Sequence, residues 1–359
     1  MRRMQDFIVK GKRIFIGLED SKRTWKLCVR SEGAIVAETS MPAKYDNLRN
    51  YLRGNYPGCD IVVMYEAGFG GFWLHDLLRG DGIECFVTSV GSWRPAHTVT
   101  QAKVNRVKTD RGDARRLALN LENNDYVSCH VPDKEHREDR QVSRTLSQIQ
   151  NKITATKNQI RKFLDWHGLN GDLPSGAWRA ADYRKLKSLK LSSPLQTCLD
   201  AYFRAIECLE QISLGLLEQL KKVSEKGNYR ESVASKQSCP GVGWLSAIRF
   251  TLEWGDLTRF PSGRHFASYV GLTSSEHSTG ETVHRGHITG QGSGKVRGWL
   301  IQCAWRAVKL DPVLLDKYLR VWRNSGSKKK AIVAVARKLV VRMRAIEISK
   351  QPYVVAVIE

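Results

Sequence analysis

The sequence predicts an α/β domain followed by a mostly helical region, and three observations carry that prediction. β-rich and helical segments alternate through the first third, apolar residues recur at heptad spacing through the middle, and a Pro-Gly turn leads into helices in the last third. At 359 residues the chain exceeds one ordinary domain, so at least two are expected. Hydrophobic residues at 42% and charged residues at 26% are globular proportions and exclude wholesale disorder.

Arg13 to Glu19, Trp25 to Arg30 and Ala34 to Glu38 are short β-rich runs separated by polar or glycine turns, a pattern that predicts a three-stranded antiparallel meander. A helical pattern follows at Asp46 to Leu52, then an apolar strand at Ile61 to Tyr65, a second helix near Phe72 to Leu78 and a strand at Ile83 to Val87. Meander, then helix-strand-helix-strand, is the order of a ribonuclease-H-like domain, placed here at residues 1–130. Fold order alone does not fix function.

Through residues 131–230 the pattern changes to heptad seams. Val142, Leu146, Ile149, Ile153, Thr156, Ile160 and Phe163 form one, and Leu195, Leu199, Tyr202, Ile206, Leu209, Ser213, Leu216, Leu220 and Val223 the other. Gly168 to Trp178, containing Pro174, breaks the pattern between them. The expectation is two long antiparallel helices, a coiled-coil insertion that projects from the body or pairs with another copy. A last, mostly helical domain is expected at 231–345, with a tail at 346–359. It opens with Cys239-Pro-Gly-Val-Gly-Trp244, a turn like those of helix-hairpin-helix elements, in which the backbone N–H groups of Gly241 and Gly243 would face a phosphate. An ordinary helix start is the competing reading. Beyond it lie a Gly/Ser/Thr/His-rich segment from Gly271 to Gly298 and helical runs around Leu300 to Val308 and Ala331 to Met343. The final run is basic and is read as a core helix with a solvated cationic face. Trp244, Trp254, Trp299 and Trp305 are assigned to the core on the same grounds, although tryptophan can also stack on bases.

With 58 Lys and Arg against 36 Asp and Glu, the formal net charge is +22, which points to a polyanionic partner and first to nucleic acid. No apolar run approaches the ~18 residues of a membrane span, and Met1-Arg-Arg-Met-Gln-Asp leads into polar sequence without a signal-peptide core, so a cytoplasmic, nucleoid-associated protein with no membrane partner is expected. The eight cysteines show no C-x-x-C pair and no zinc spacing, and are read as reduced thiols.

Four carboxylates stand where a metal site in this fold would need them. Glu19 closes the first strand, Glu66 follows the apolar strand ending at Tyr65, and Asp110 and Asp113 share one face at the start of a helix. A pair of Mg²⁺ ions about 3.5–4 Å apart requires oxygen ligands from several elements, so that one ion activates the attacking oxygen and the other stabilises the leaving one. Singly, each acid could be a surface residue at an element end. Together, in so basic a chain, they point to metal-dependent phosphodiester chemistry.

Gly17-Leu-Glu-Asp-Ser-Lys22, Tyr65-Glu-Ala-Gly68 and Lys108-Thr-Asp-Arg-Gly-Asp-Ala114 resemble the three acidic motifs of the DEDD-type insertion-sequence transposases of the IS110 family. Pro240-Gly-Val-Gly243, Phe266-Ala-Ser-Tyr-Val-Gly-Leu272, Glu276-His-Ser-Thr-Gly280 and Gly286-His-Ile-Thr289 resemble that family's second block. The resemblance runs from about residue 13 to 345. It implies a RuvC-like nuclease domain using Mg²⁺, with Mn²⁺ able to replace it, a coiled coil, and a transposase domain whose nucleophile is Ser278. It further implies a structured bridge RNA that selects double-stranded target and donor DNA, and homodimers that assemble into tetramers. Arg285 and Lys295 are candidates for transition-state stabilisation, Arg297 for nucleic-acid contact and His277 for the base, all by proximity in sequence. Ser274 and Ser275 are fallback nucleophiles. The family's first motif ends Gly-hydrophobic-Asp, whereas Glu19 stands here with Asp20 after it. Strand alternation favours Glu19 as the ligand and would send Asp20 to the opposite face. A RuvC-like structure-specific endonuclease using metal-activated water is the alternative, and a non-catalytic basic nucleic-acid-binding protein the third reading.

Overall fold

The structure, a computed structural model, describes residues 11–68, 70–89, 109–169, 171, 178–279 and 282–355. Of residues 277–279 and 282–285 only the backbone is described. The chain forms two compact units, Met1–Val131 and Pro132–Glu359.

The first unit is built on a five-stranded sheet of order β3-β2-β1-β4-β5. The meander comprises β1 (Arg13–Glu19), β2 (Thr24–Ser31) and β3 (Ala34–Pro42), paired antiparallel. After α1 (Tyr45–Asn55), β4 (Asp60–Glu66) runs parallel to β1, and after α2 (Trp73–Gly80), β5 (Glu84–Thr88) runs parallel to β4. This mixed α/β sheet agrees with the ribonuclease-H-like order. Strand alternation divides the apolar residues between two layers. Ile14, Ile16 and Leu18 of β1 join Val63 and Tyr65 of β4 and Leu48, Leu52, Leu74 and Leu78 of the two helices. On the other face Val62 and Met64 pack with Leu117 and Leu121 of α3 (Asp110–Glu122).

Among its described residues the second unit is helical apart from one hairpin. Its arm is a pair of long helices, α4 (Lys134–Trp166) and α6 (Ser193–Ser224), joined through the short α5 (Ala180–Lys187). At 33 residues α4 is about 50 Å long. The pair is antiparallel: Ile160 and Leu164 near the end of α4 cluster with Leu199, Phe203 and Ile206 near the start of α6, while Leu146 clusters with Leu220 and Val223. The two seams thus bury one another within a single chain. The expected boundary at residue 230 has no counterpart, because Tyr229 and Val233 of α7 (Gly227–Gln237) share a core with Leu146 and with Ile248 and Phe250 of α8 (Trp244–Trp254). Short α9 (Gly263–Tyr269) precedes the hairpin, and α10 (Gly294–Ala307), α11 (Pro312–Ser325) and α12 (Lys328–Ser349) follow it.

Helix α12 runs through this core, burying Ala331, Val335, Ala336, Leu339, Val340 and Met343. It is also tied by charge. The fully buried Lys236 of α7 is ion-paired with Glu347, and Arg342 is 3.1 Å from the buried Asp311. The expected tail is docked in part: Tyr353 donates its backbone N–H to Ser238 Oγ at 2.9 Å and its hydroxyl to Asp311. All eight cysteines are free, with Cys198 and Cys208 exposed on α6. Among the described residues no helix is long and apolar enough to cross a membrane.

Candidate active site

The acids of the first unit are placed by alternation and by one glycine. Phe15 packs on the α3 face of the sheet, and Gly17, two residues on, lies directly against α3. Glu19, a further two residues on, therefore belongs to that face. Along β4, Val62 and Met64 occupy the same face, which gives it Glu66. Parallel pairing of Leu18 with Tyr65 sets the two glutamates side by side at the ends of adjacent strands. Helix α3 contributes Asp110 and Asp113 from its first turn, which Thr109 caps by accepting the Gly112 N–H at 3.2 Å.

Gly17 sets how closely α3 approaches. A Cβ there would lie 2.1 Å from the Ala114 carbonyl oxygen and 2.3 Å from the Ala118 nitrogen. Both are backbone atoms of α3, so any side chain at position 17 would force helix and strand apart. The contact carries Asp113, which neighbours Ala114 and is only 2% exposed, down to the sheet beside Glu19.

The electrostatics reflect that crowding. Burial, then Glu66, Asp113, Asp20 and Asp110 in that order, push the Glu19 carboxyl up to about 7. Burial and then Glu66 act on Asp20, which a hydrogen bond from its own backbone partly offsets, and its carboxyl is pushed up to about 6. Some counter-charge is present. Lys26, the cross-strand partner of Glu19, lies 3.5 Å from Asp110, and Arg116 donates to Asp113. The Lys26 contact is largely exposed and therefore weak.

Five oxygen-bearing acids held against mutual repulsion are the donor set of a hard divalent cation, so the residues fit one chemically. Among the described residues, however, no three His, Cys, Asp or Glu stand close enough to share one ion. The acids converge electrostatically without closing into a coordination sphere.

Asp20 is the acid that sequence reasoning discounted. Strand β1 ends at Glu19, so alternation does not extend to the next residue. Asp20 instead lies against the loop after β4, where a Cβ on Gly70 would be 2.6 Å from its Oδ2. The polar Asp-Ser-Lys run after Glu19 is the signal that the strand stops there. Lys26 also escaped notice, although its alternation with the buried Trp25 and Leu27 places it on the face of Glu19.

In the second unit the Gly/Ser/Thr/His-rich segment, to which the sequence assigns no secondary structure, contains a hairpin of β6 (Ser274–Thr279) and β7 (Thr282–Ile288). Ser278 lies in β6 opposite Val283, and Arg285 in β7 opposite Glu276. The side chains of His277, Ser278 and Arg285 lie outside the described residues. The hairpin is pinned at its root by two glycines with positive φ, Gly271 at 76° and Gly292 at 74°. A Cβ on Gly271 would meet the Gln291 oxygen at 2.0 Å, and one on Gly292 the Tyr269 oxygen at 2.5 Å, so the two segments cross backbone to backbone.

The remaining candidates separate clearly. Lys295 is exposed in the first turn of α10. Arg297 is engaged inside the protein, donating to the carbonyl oxygens of Gln291, Gly292 and Val270 at 2.7, 3.3 and 3.4 Å, and so braces the hairpin root. Gly243 is the exposed N-cap of α8. Gly241 is turned against α10, where a Cβ would be 2.5 Å from the Cys303 oxygen, so it serves close packing.

Comparison with known proteins bears on both units. Residues 16–167 match the DEDD transposase family of IS110 type, and residues 236–319 match the Transposase IS116/IS110/IS902 family. Both matched families are of IS110-type transposases. It is 29% identical to the y4qE protein of Sinorhizobium fredii over 68% of this chain and 58% of that one, and 28% identical to y4rJ of the same organism over 92% and 90%; both carry transposase names. It is 26% identical to the transposase for insertion sequence element IS1111A of Coxiella burnetii over 90% and 86%. The first match contains Glu19, Glu66, Asp110 and Asp113, and the second contains the hairpin with Ser278. A DEDD transposase domain implies dependence on a divalent metal and action on DNA.

Proposed function

We propose that this transposase cuts, exchanges and rejoins DNA strands through a covalent ester between Ser278 and DNA. The single observation that carries the reading is the convergence of Glu19, Glu66, Asp110 and Asp113 at one end of the sheet, in a chain whose second matched region holds the serine hairpin. Those four acids, with Asp20 beside them, are the groups to hold Mg²⁺ or Mn²⁺. The ion, when bound, neutralises the scissile phosphate and polarises its phosphorus–oxygen bond.

The chain's own groups supply the rest. Ser278 Oγ attacks phosphorus, its proton passes to a base for which His277 is the candidate, and the P–O bond to one deoxyribose breaks, the leaving oxygen taking that proton from the base to become a free hydroxyl. One phosphodiester is exchanged for one serine ester, so rejoining is the reverse attack and requires no ATP. Lys26 relieves repulsion among the acids, and Lys295, which is exposed, together with Arg285 would be the cations for the transferred phosphate. A structured bridge RNA would select target and donor duplexes by base pairing. The α4/α6 arm would serve as a coiled-coil element for dimers and tetramers, the turn at Gly243 as a helix-hairpin-helix-like phosphate contact, and the protein would work on the nucleoid in the cytoplasm.

The test is a denaturing gel of the purified protein with Mg²⁺, labelled DNA spanning the element's ends and RNA transcribed from the flanking region. A slow band that survives denaturant, needs Mg²⁺ and is missing in Ser278→Ala is the expected result. Nicked DNA without an adduct, unaffected by Ser278→Ala, would transfer the reading to a hydrolytic RuvC-like endonuclease. Mixing Ser278→Ala with Glu66→Gln protein adds a second arm. Restored adduct formation means that one copy completes the site of another.

A further inference from the structure

Trp305 is the most exposed of the four singled-out tryptophans. Trp254 is buried, Trp244 donates its indole N–H to Ser224 at 3.0 Å, and Trp299 stacks beneath the Arg249 guanidinium. Trp305 of α10 is instead the first rung of a ladder. Its ring lies 5.6 Å from that of Tyr318, which lies 6.3 Å from that of Trp322. Leu315, Tyr318 and Trp322 fall at helical spacing on one face of α11. Tyr318 is nearly buried, whereas 40% of Trp305 and 38% of Trp322 remain exposed, with Leu315 exposed beside them.

The surrounding charge is one-sided. From Trp305 to Lys330 the sequence has eight Lys or Arg and two acids. Both acids are already paired within the protein: Asp311 is buried against Arg342, and Asp316 lies 3.2 Å from Arg320. Lys328 places its ammonium 5.6 Å from the Trp322 ring. Burial, then Arg342, Lys317 and Arg320, hold the nearby Lys338 ammonium below the usual lysine range, which shows how closely cations crowd between α11 and α12.

Flat rings accessible at two points and bordered by uncompensated cations suit a partner that brings both a polyanionic backbone and free planar faces. A protein partner rich in acids would match the charge without using the rings, and duplex DNA would match the charge but keeps its base faces stacked inside. We propose that Trp305 and Trp322 form a stacking platform for unpaired bases of an RNA strand, with Lys328 and its neighbours holding the flanking phosphates. The choice of RNA over single-stranded DNA rests on the function proposed above, in which the DNA substrates are duplex and the RNA has unpaired loops. The platform lies outside the acid site and the serine hairpin, so binding there requires no chemistry.

Fluorescence anisotropy on the full-length protein tests the platform. The probes are a fluorescein-labelled 12-nucleotide adenine-rich RNA, DNA of the same sequence, a duplex of that DNA, and the RNA transcribed from the element's flank. Trp305→Ala with Trp322→Ala should weaken binding of the 12-nucleotide RNA by about tenfold for each ring removed. Duplex affinity should stay within about twofold, which also reports that the variant is folded. Trp305→Phe with Trp322→Phe, which keeps rings at both points, should retain most of the RNA affinity. Unchanged RNA binding in the alanine variant, or equal losses for RNA and duplex, would overturn the platform. Tighter binding of the single-stranded DNA than of the RNA would overturn the choice of RNA. A smaller oligomer by light scattering with RNA affinity intact would reassign the face to self-association. Failure of the wild-type protein to bind the flank RNA would refute the RNA partner itself, separately from any result with the tryptophan variants.

Discussion

The acid end of the first unit and the serine hairpin of the second hold their chemistry in opposite ways. Glu19 and Glu66 extend from strands buried on both faces, and Asp113 from a helix pressed onto those strands, so the acids inherit the rigidity of a core. Ser278 lies in a two-stranded ribbon whose described residues place none of their side chains in the core, a structure that alone is marginal in water. Glycine is decisive in both places but for different reasons. Gly17 permits approach between two well-packed elements, while Gly271 and Gly292 pin an otherwise loose ribbon at its root. The acids are thus preorganised against their own repulsion. Ser278, the proposed nucleophile, is carried on a ribbon fixed at its root.

The largest effect is expected where approach is closest. Gly17→Ala places a Cβ 2.1 Å from the α3 backbone, where no rotamer change relieves it, and should cost about 3 kcal/mol as the helix lifts from the sheet. That is a large share of an ordinary domain's stability. Urea unfolding followed by hydrogen exchange should locate the loss in residues 11–131 and leave the second unit near its wild-type stability. If Gly17→Ala unfolds like wild type, the account of how Asp113 reaches Glu19 is wrong.

A smaller effect is expected at the hairpin. Gly292→Ala requires a left-handed residue with a side chain, about 1–2 kcal/mol, and brings its Cβ 2.5 Å from the Tyr269 oxygen. Because the hairpin stands apart from the helical core, the melting temperature of the second unit should fall only slightly. Protease cleavage between Ser274 and Ile288 should accelerate several-fold, and adduct formation should fall with it. A cooperative loss of the whole unit would instead mean that the hairpin is part of the core.

The same contrast explains what the sequence revealed. Ile14, Ile16 and Leu18 alternate with Phe15 and Gly17, so β1, and through it the placement of Glu19, is legible from period-two patterning alone. The α4 and α6 seams are legible for the same reason at period 3.5, although the pattern does not say that each is the other's partner. The hairpin is not legible, because Ser-Ser-Glu-His-Ser-Thr has no apolar alternation from which to read a strand. Asp20 is missed for a geometric reason. The strand ends one residue earlier than the alternation argument assumes, and beyond its end the chain turns back toward Gly70. Gly241 is a ligand-facing candidate in sequence through its Pro-Gly-x-Gly turn and Arg297 through its nearness to Ser278, and only tertiary packing shows that both are engaged inside the protein.

The smallest expected effect, but the most specific to the acid cluster, is the response of stability to pH and metal. The folded Glu19 and Asp20 carboxyls lie above their ordinary values, at about 7 and about 6, so the folded state binds more protons than the unfolded chain between about pH 4 and 7. Their contribution is therefore fully present below pH 4 and is lost as pH rises through 6 and 7, opposite in sign to a salt-bridged acid. A divalent ion needs the carboxylates deprotonated, so it competes with those protons. Adding Mg²⁺ should barely move the melting temperature of the first unit at pH 5 and should raise it by a few degrees at pH 8. Glu19→Gln removes the carboxyl raised to about 7 and should flatten the metal-free pH dependence between 5 and 7. Asp20→Asn should flatten only its lower half. If Asp20→Asn abolishes the Mg²⁺ shift while Glu19→Gln leaves it intact, Asp20 replaces Glu19 as the ligand, and the acid just beyond the strand end is the one that binds the metal.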